Sequence, residues 1–123
     1  MAKVAIDRRR RAVRAGRWAE LAAVWLLRLK GYRIVARNWR CPVGEIDILA
    51  RRGHVLAAIE VKNRASMAAA AEAIGSRQRR RIQRAALAFV SRELRDASLL
   101  LRFDVVLVVP RRPPRHIIDA WRP

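Results

Sequence analysis

The chain has 123 residues, enough for a single hydrophobic core and too few for two. Hydrophobic residues make up 53% of it, which excludes a disordered tail, and one cysteine, Cys41, excludes an internal disulfide and any multi-cysteine metal site. Lys and Arg number 28 against 10 Asp and Glu, a net charge of +18. Nearly all of that positive charge is Arg, whose planar fork suits phosphate, so nucleic acid is the expected partner. A compositional bias toward Arg would account for Arg over Lys but not for the scarcity of acids.

Taken in chain order, residues 1–15 form a basic arm with Arg8-Arg9-Arg10-Arg11 and Arg14, expected to be frayed on its own. The N-terminus lacks an apolar signal region and no run is long enough to span a bilayer, so the expectation is a soluble cytoplasmic protein with no membrane partner. A helix is predicted from about Arg10 to Lys30, stopped by Gly31. Trp18, Leu21, Ala22, Trp25 and Leu29 recur at helical spacing and are expected to form its core stripe. Val24 and Leu27 lie toward the other side with Glu20, so the helix is apolar almost all round. Such a helix needs covering twice, once by the sheet and once by a loop, a ligand or the second subunit of a homodimer. Glu20 in this company is either a salt-bridged carboxylate, with Arg17 or Arg28, or part of a site.

Tyr32 to Trp39 reads as a first strand, and Cys41-Pro42-Val43-Gly44 as the turn into a hairpin. Its strands are Gly44–Ala50 and Val55–Arg64, dense in β-branched residues and separated by Arg51-Arg52-Gly53-His54. Either a two-residue turn at Arg52-Gly53 or a four-residue loop places Glu45 opposite Glu60 and Asp47 opposite Ala58. Asp47, Glu60 and Lys62 then share one face, while Ile46, Ile48, Ile59 and Val61 point to the other. Asp47 and Glu60 become diagonal neighbours roughly 7–8 Å apart in the backbone. A three-residue loop with a bulge would separate them. Like charges on one face need neutralising: Lys62 supplies one positive charge, and a hard divalent cation would supply more. The alternative is a solvated face of ordinary ion pairs.

Ala65–Gly75 is Ala-rich and shows no chemistry of its own. Ser76 is expected to cap a helix running to about Arg95, with Ile82, Ala85, Ala86, Phe89 and Val90 as its apolar stripe. Gln78 falls on the same inward face, either in the site or bonded to a loop. Arg77, Arg80, Arg81 and Arg84 spread over the outer face and read as phosphate contacts, which position nucleic acid without reading sequence. Leu99–Val109 is a doubly buried strand expected to run parallel to the Glu60 strand, with Asp104 in a structural ion pair. Residues 110–123 form an extension in which His116–Trp121 can add a short edge strand. His54 and His116 lack metal-ligand spacing and both read as unremarkable.

Asp47, a strand turn and then Glu60-Val61-Lys62 resembles the active-site pattern of restriction-endonuclease-like nucleases, the PD-(D/E)xK superfamily. Gly44-Glu45-Ile46-Asp47-Ile48 with Glu60-Val61-Lys62-Asn63-Arg64, and Ala19-Glu20 in the first helix, more narrowly resembles the small bacterial YraN family. The resemblance covers roughly Gly16 to Val109. It implies a single α/β domain of order αβββαβ, a mixed sheet flanked by helices, and phosphodiester hydrolysis on structured or branched DNA, with RNA open. It further implies Mg²⁺ or Mn²⁺ held by Asp47, Glu60 and the Val61 carbonyl, with Lys62 orienting the attacking water. In related Holliday-junction resolvases a Glu of the first helix joins the metal site, the place of Glu20 here, and such nucleases often set a polar residue where Gln78 stands. Two positions depart from the pattern: Ile46 precedes Asp47 where the superfamily has Pro, and Asn63 stands where many relatives carry Thr. A non-catalytic nucleic-acid-binding module or an assembly factor on the same fold is the alternative.

Overall fold

The computed structural model describes residues 2–63, 75–94 and 96–123, with side chains described from residue 16 onward except at Ser76. The basic arm's side chains and most of the Ala65–Gly75 stretch lie outside the described residues.

Elements follow in the order α1 (Ala2–Leu29), β1 (Arg33–Cys41), β2 (Gly44–Arg52), β3 (Val55–Asn63), α2 (Ser76–Phe89), a π-helical turn (Val90–Leu94), β4 (Leu100–Val108) and β5 (Arg115–Ile117). The five strands form one sheet in sequential order. β3 and β4 run parallel, joined through α2, and the other neighbours are antiparallel. The mixed sheet, the parallel β3–β4 pair and the short edge strand agree with the sequence reading. Helix α1 starts earlier than expected, at Ala2, in a stretch of Ala and Arg that holds no breaker before Gly16. The residue before helix α2 is Gly75, and the side chain of Ser76, the expected cap, lies outside the described residues.

The two helices cover opposite faces of the sheet. One core joins Ile82, Ala85, Ala86 and Phe89 of α2 to Leu49, Leu56, Ala58, Phe103, Val105 and Leu107. The other joins Ala23, Val24 and Leu27 of α1 to Ile48, Ala50, Ala57, Ile59 and Val106. Alternation along β3 and β4 sends neighbouring residues to different cores, as a sheet buried on both sides requires.

The expected stripe of α1 is inverted. Trp18 and Trp25 are 74% and 60% exposed, Leu21 and Leu29 are exposed too, and Ala19, Ala23, Val24 and Leu27 are buried instead. Both stripes have helical spacing, so periodicity could not choose between them. The narrow Ala19/Ala23 side lets the helix lie close on the sheet, where two indoles would hold it away.

The hairpin register also differs. Arg52 pairs with Val55, Ala50 with Ala57 and Ile48 with Ile59, around a two-residue Gly53-His54 turn in which Gly53 takes φ +62°. Each β2 residue therefore sits two positions further along β3 than expected. An even shift preserves which face each side chain takes, so Asp47, Glu60 and Lys62 still meet. Ile46 is the exception to the expected faces: it packs in the α2 core, opposite to Ile48. The β1–β2 ladder skips the Asn38–Asp47 step between them, and Asn38 has φ +49°. Asn tolerates this left-handed conformation better than most residues.

Asp104 is fully buried and ion-paired, as expected. Arg102 donates to it twice at 2.8 Å, His116 Nε2 bonds it at 2.8 Å and the Asp119 N–H at 2.9 Å. Burial pushes its carboxyl up, but the bonds from His116, Arg102 and Asp119 outweigh that and hold it at about 2. His116 is not unremarkable. It spans Asp104 and Lys30, whose Nζ lies 2.6 Å from Nδ1, and so ties the end of α1 to β4 and β5. Neither spacing nor composition signals a contact between residues this far apart in sequence.

Gly44 is fixed by packing rather than by dihedral angle. A Cβ there would lie 2.2 Å from the Arg81 carbonyl oxygen, so α2 rests against β2 at this point. Gly44→Ala should therefore destabilise the fold by about 1–3 kcal/mol, whereas Gly16→Ala, with nothing within 4 Å, should add up to about 1 kcal/mol. Urea unfolding of the two variants measures both signs.

Candidate active site

The β2–β3 ladder stops at Ile48–Ile59. Beyond it the Val61 N–H donates to Asp47 Oδ2 at 2.9 Å, so Asp47 stands in for a strand partner and is locked against β3. Glu60 is 5% exposed and turns to the same face as Asp47. Lys62, also buried, donates from Nζ to Gln78 Oε1 at 3.2 Å. Gln78 in turn donates from Nε2 to Glu60 Oε2 at 3.2 Å. The amide thus has a defined orientation, oxygen to the amine and nitrogen to the carboxyl. Of the expected residues, Lys62, Gln78 and Glu60 form one chain of hydrogen bonds, and Asp47 is bonded to the Val61 N–H between Glu60 and Lys62. The close approach of α2 at Gly44 brings Gln78 into that chain.

Glu20 lies beside this group without joining its hydrogen bonds. Its Oε1 accepts from Asn38 Nδ2 at 2.9 Å and from Arg37 Nε at 3.2 Å, so its partners come from β1 and not from Arg17 or Arg28. Its charge still reaches Asp47, where it adds to the upward push. The left-handed Asn38 is the residue that sequence reasoning missed; an Asn in a strand next to a charged turn is its only trace. Glu45 is exposed and paired with Arg40 at 3.2 Å instead of facing Glu60.

Burial is the first cause that raises both acids. Glu60 is pushed up to about 8, by burial first and then by the charge and hydrogen bond of Asp47, with Lys62 opposing. Asp47 is raised by burial, against the bond from Val61 and the charge of Lys62. The pair therefore holds a proton at neutral pH where two bare carboxylates would repel.

A cleft of about 370 Å³ opens on Glu60 and Gln78 and is walled by Glu45, Gly75, Arg77 and Arg81. A neighbouring groove of about 360 Å³ is lined by Arg77, Arg80, Arg81 and Arg84 alone. Arg77 and Arg81 belong to both, so the four exposed arginines lead from open solvent to Glu60 and Gln78. Among the described residues no three His, Cys, Asp or Glu side chains form a ready-made metal cage. The oxygen donors present, two carboxyls and the adjoining Val61 carbonyl, are of the type that a hard cation such as Mg²⁺ or Mn²⁺ takes. None of the described helices is long and apolar enough to cross a membrane.

The raised carboxyl has a consequence for stability. Between about 4.5 and about 8 the folded chain keeps a proton on Glu60 that the unfolded chain releases, so stability falls as pH rises through this window. With chelator present, the parent should lose stability on the order of a few kcal/mol from pH 5 to pH 8. Glu60→Gln should remove most of that slope and melt no lower than the parent at pH 8. Thermal melts across this pH range measure it.

Comparison with known proteins gives the chain its relatives. It is 59% identical over 112 residues to a UPF0102 protein of Parvibaculum lavamentivorans, covering 91% of this chain and 84% of that one. It is 52% identical over 116 residues to one of Paramagnetospirillum magneticum, covering 90% and 89%. A third, from Agrobacterium fabrum, is 47% identical over 115 residues and 94% of each chain. The family profile matches residues 19–108, which hold Glu20, the whole hairpin, Gln78 and the four arginines. The chain with this carboxyl pair belongs to the Uncharacterised protein family UPF0102.

Proposed function

We propose that the protein is a metal-dependent nuclease that hydrolyses phosphodiester bonds in structured or branched DNA, on a restriction-endonuclease-like core. One observation carries this reading: Glu60, Gln78 and Lys62 are hydrogen-bonded in a chain beside Asp47, and Glu60 and Gln78 open into a cleft continued by arginines. A structural ion pair would not need two close carboxyls, Glu60 raised to about 8, beside a buried amine at the mouth of a basic groove.

In this reading Asp47, Glu60 and the Val61 carbonyl hold Mg²⁺ or Mn²⁺. When bound, the ion supplies Lewis-acid polarisation of a phosphoryl oxygen and an acidified water. The chain's own residues do the rest. Asp47 is prepositioned by the Val61 N–H, so no side-chain freedom is lost when it engages. Gln78 holds Glu60 and Lys62 together and keeps the Lys62 Nζ at the reaction face. Lys62 orients the attacking water and offsets charge developing on the phosphate. Arg77 and Arg81 draw the phosphate into the cleft, and Arg80 and Arg84 hold the backbone beside it. Burial strengthens the interactions of Glu60 and Lys62 relative to water.

A nuclease assay on branched, nicked and duplex DNA with Mg²⁺ or Mn²⁺ tests the reading. The parent should cleave at least one substrate, and Mn²⁺ should raise its melting temperature by mass action. Glu60→Gln should abolish both effects while keeping DNA binding. Lys62→Ala should lose cleavage by about 100-fold or more yet retain the Mn²⁺ shift. A parent protein that melts alike with and without Mn²⁺ and cleaves nothing leaves a nucleic-acid-binding module in its place.

Binding has its own test. Affinity for duplex DNA should fall with salt by a slope of about −0.9 per phosphate contacted. Arg80→Gln with Arg84→Gln should reduce that slope by about 2 and weaken all sequences alike. Affinity that is flat between 50 and 200 mM salt (about the range over which such contacts are lost) contradicts the arginine groove.

A further inference from the structure

The outer face of α1 is a feature that the site leaves unused. Trp18, Leu21, Trp25 and Leu29 stand on it at helical spacing, all exposed, while the helix is seated on the sheet by its other side. The two indoles are two turns apart, roughly 10 Å along the axis. Arg17 is exposed next to Trp18, and the Arg28 guanidinium lies over the Trp25 ring, 5.6 Å from its centroid. Glu20, the sole acid of residues 16–30, is turned away to Arg37 and Asn38 of β1. Upstream on the same helix the sequence places Arg8, Arg9, Arg10, Arg11 and Arg14 against one acid, Asp7.

A second copy is a poor occupant for this face. It would bring a second Arg-rich helix and another +18 of charge to the same seam. A polyanion with flat apolar groups fits both features at once: phosphates to the guanidinia and bases to the indoles. A bilayer surface also joins anionic charge to apolar matter, but it is planar. The arginine groove lies on α2, across the sheet from α1, so a flat membrane can meet only one of the two basic faces. A flexible strand can follow both.

We propose that the Trp18–Trp25 face of α1 is a stacking platform for the bases of a single-stranded stretch of nucleic acid, with Arg17 and Arg28 beside its phosphates. This rests on the nucleic-acid reading above, though not on cleavage. It makes the preferred ligand one that has a single-stranded part, because bases paired in a duplex have no free faces to offer an indole.

The test uses the full chain, a 15-nucleotide oligothymidine (on the order of an OB-fold site size) and a duplex of equal length, in chelator so that cleavage plays no part. Trp18→Ala with Trp25→Ala should weaken oligothymidine binding on the order of 100-fold, about ten-fold per ring, with the salt slope and duplex affinity unchanged. Trp18→Phe with Trp25→Phe should restore most of the loss, since a ring is kept. Indole fluorescence of the parent should be quenched by oligothymidine and not by the duplex. Equal loss for single strand and duplex overturns the platform. So does an Ala variant that binds oligothymidine like the parent; its sedimentation equilibrium and its partition onto phosphatidylglycerol vesicles then identify a second copy or a bilayer as the occupant. The Mn²⁺ melting shift is read separately: its absence in the parent removes metal-dependent cleavage and leaves the platform standing.

Discussion

The bond from the Val61 N–H to Asp47 Oδ2 holds the site together. It forms where the β2–β3 ladder ends and a side chain takes over the role of a strand carbonyl. That exchange brings a carboxylate into the sheet beside Glu60, in surroundings where charge is costly. The remaining features answer that cost. Gln78 bonds both Glu60 and Lys62, and Glu60, raised to about 8, keeps a proton at neutral pH. The same cost makes the pair responsive to any cation that could replace the proton.

Two unlike devices bring the helices to this point. On one side of the sheet the absence of a side chain at Gly44 lets the α2 backbone approach β2, which sets the depth at which Gln78 enters. On the other side Glu20 reaches from α1 to Arg37 and Asn38 of β1, on the strand next to Asp47. The first is packing and does not depend on salt; the second is a partly exposed ion pair, worth little on its own and more as an orienting contact. Far from the site, Lys30, His116, Asp104 and Arg102 tie the end of α1 to β4 and β5. Removing one partner there would leave a buried charge uncompensated, so this network holds α1 in place against the sheet.

The basic charge is distributed with the same logic. Arg77, Arg80, Arg81 and Arg84 line a groove that meets the carboxyl cleft, while Arg17 and Arg28 flank the indoles of α1 across the sheet. A chain of this size with +18 of charge is destabilised by its own repulsion. Spreading the arginines over two faces lessens that repulsion and leaves both faces attractive to a polyanion.

The local sequence determined most of the elements and which side chains meet beside β3. Alternation of Ile with Asp and Glu marked two strands, and the even period of a strand placed Asp47, Glu60 and Lys62 on one face whether the register was the expected one or the observed one. Helical spacing from Ile82 put Gln78 inward. What the tertiary structure alone decided were choices between patterns of equal period. Helix α1 carries two stripes of helical spacing, and the sheet selected Ala19, Ala23, Val24 and Leu27 because small residues allow close approach, leaving Trp18 and Trp25 outside. The turn closed on Gly53-His54 because Gly53 supplies the positive φ that a two-residue turn needs, moving Asp47 along Glu60's strand. The left-handed Asn38, the seat of α2 on Gly44 and the link from Lys30 through His116 to Asp104 are contacts between residues distant in the chain, and no local period encodes them.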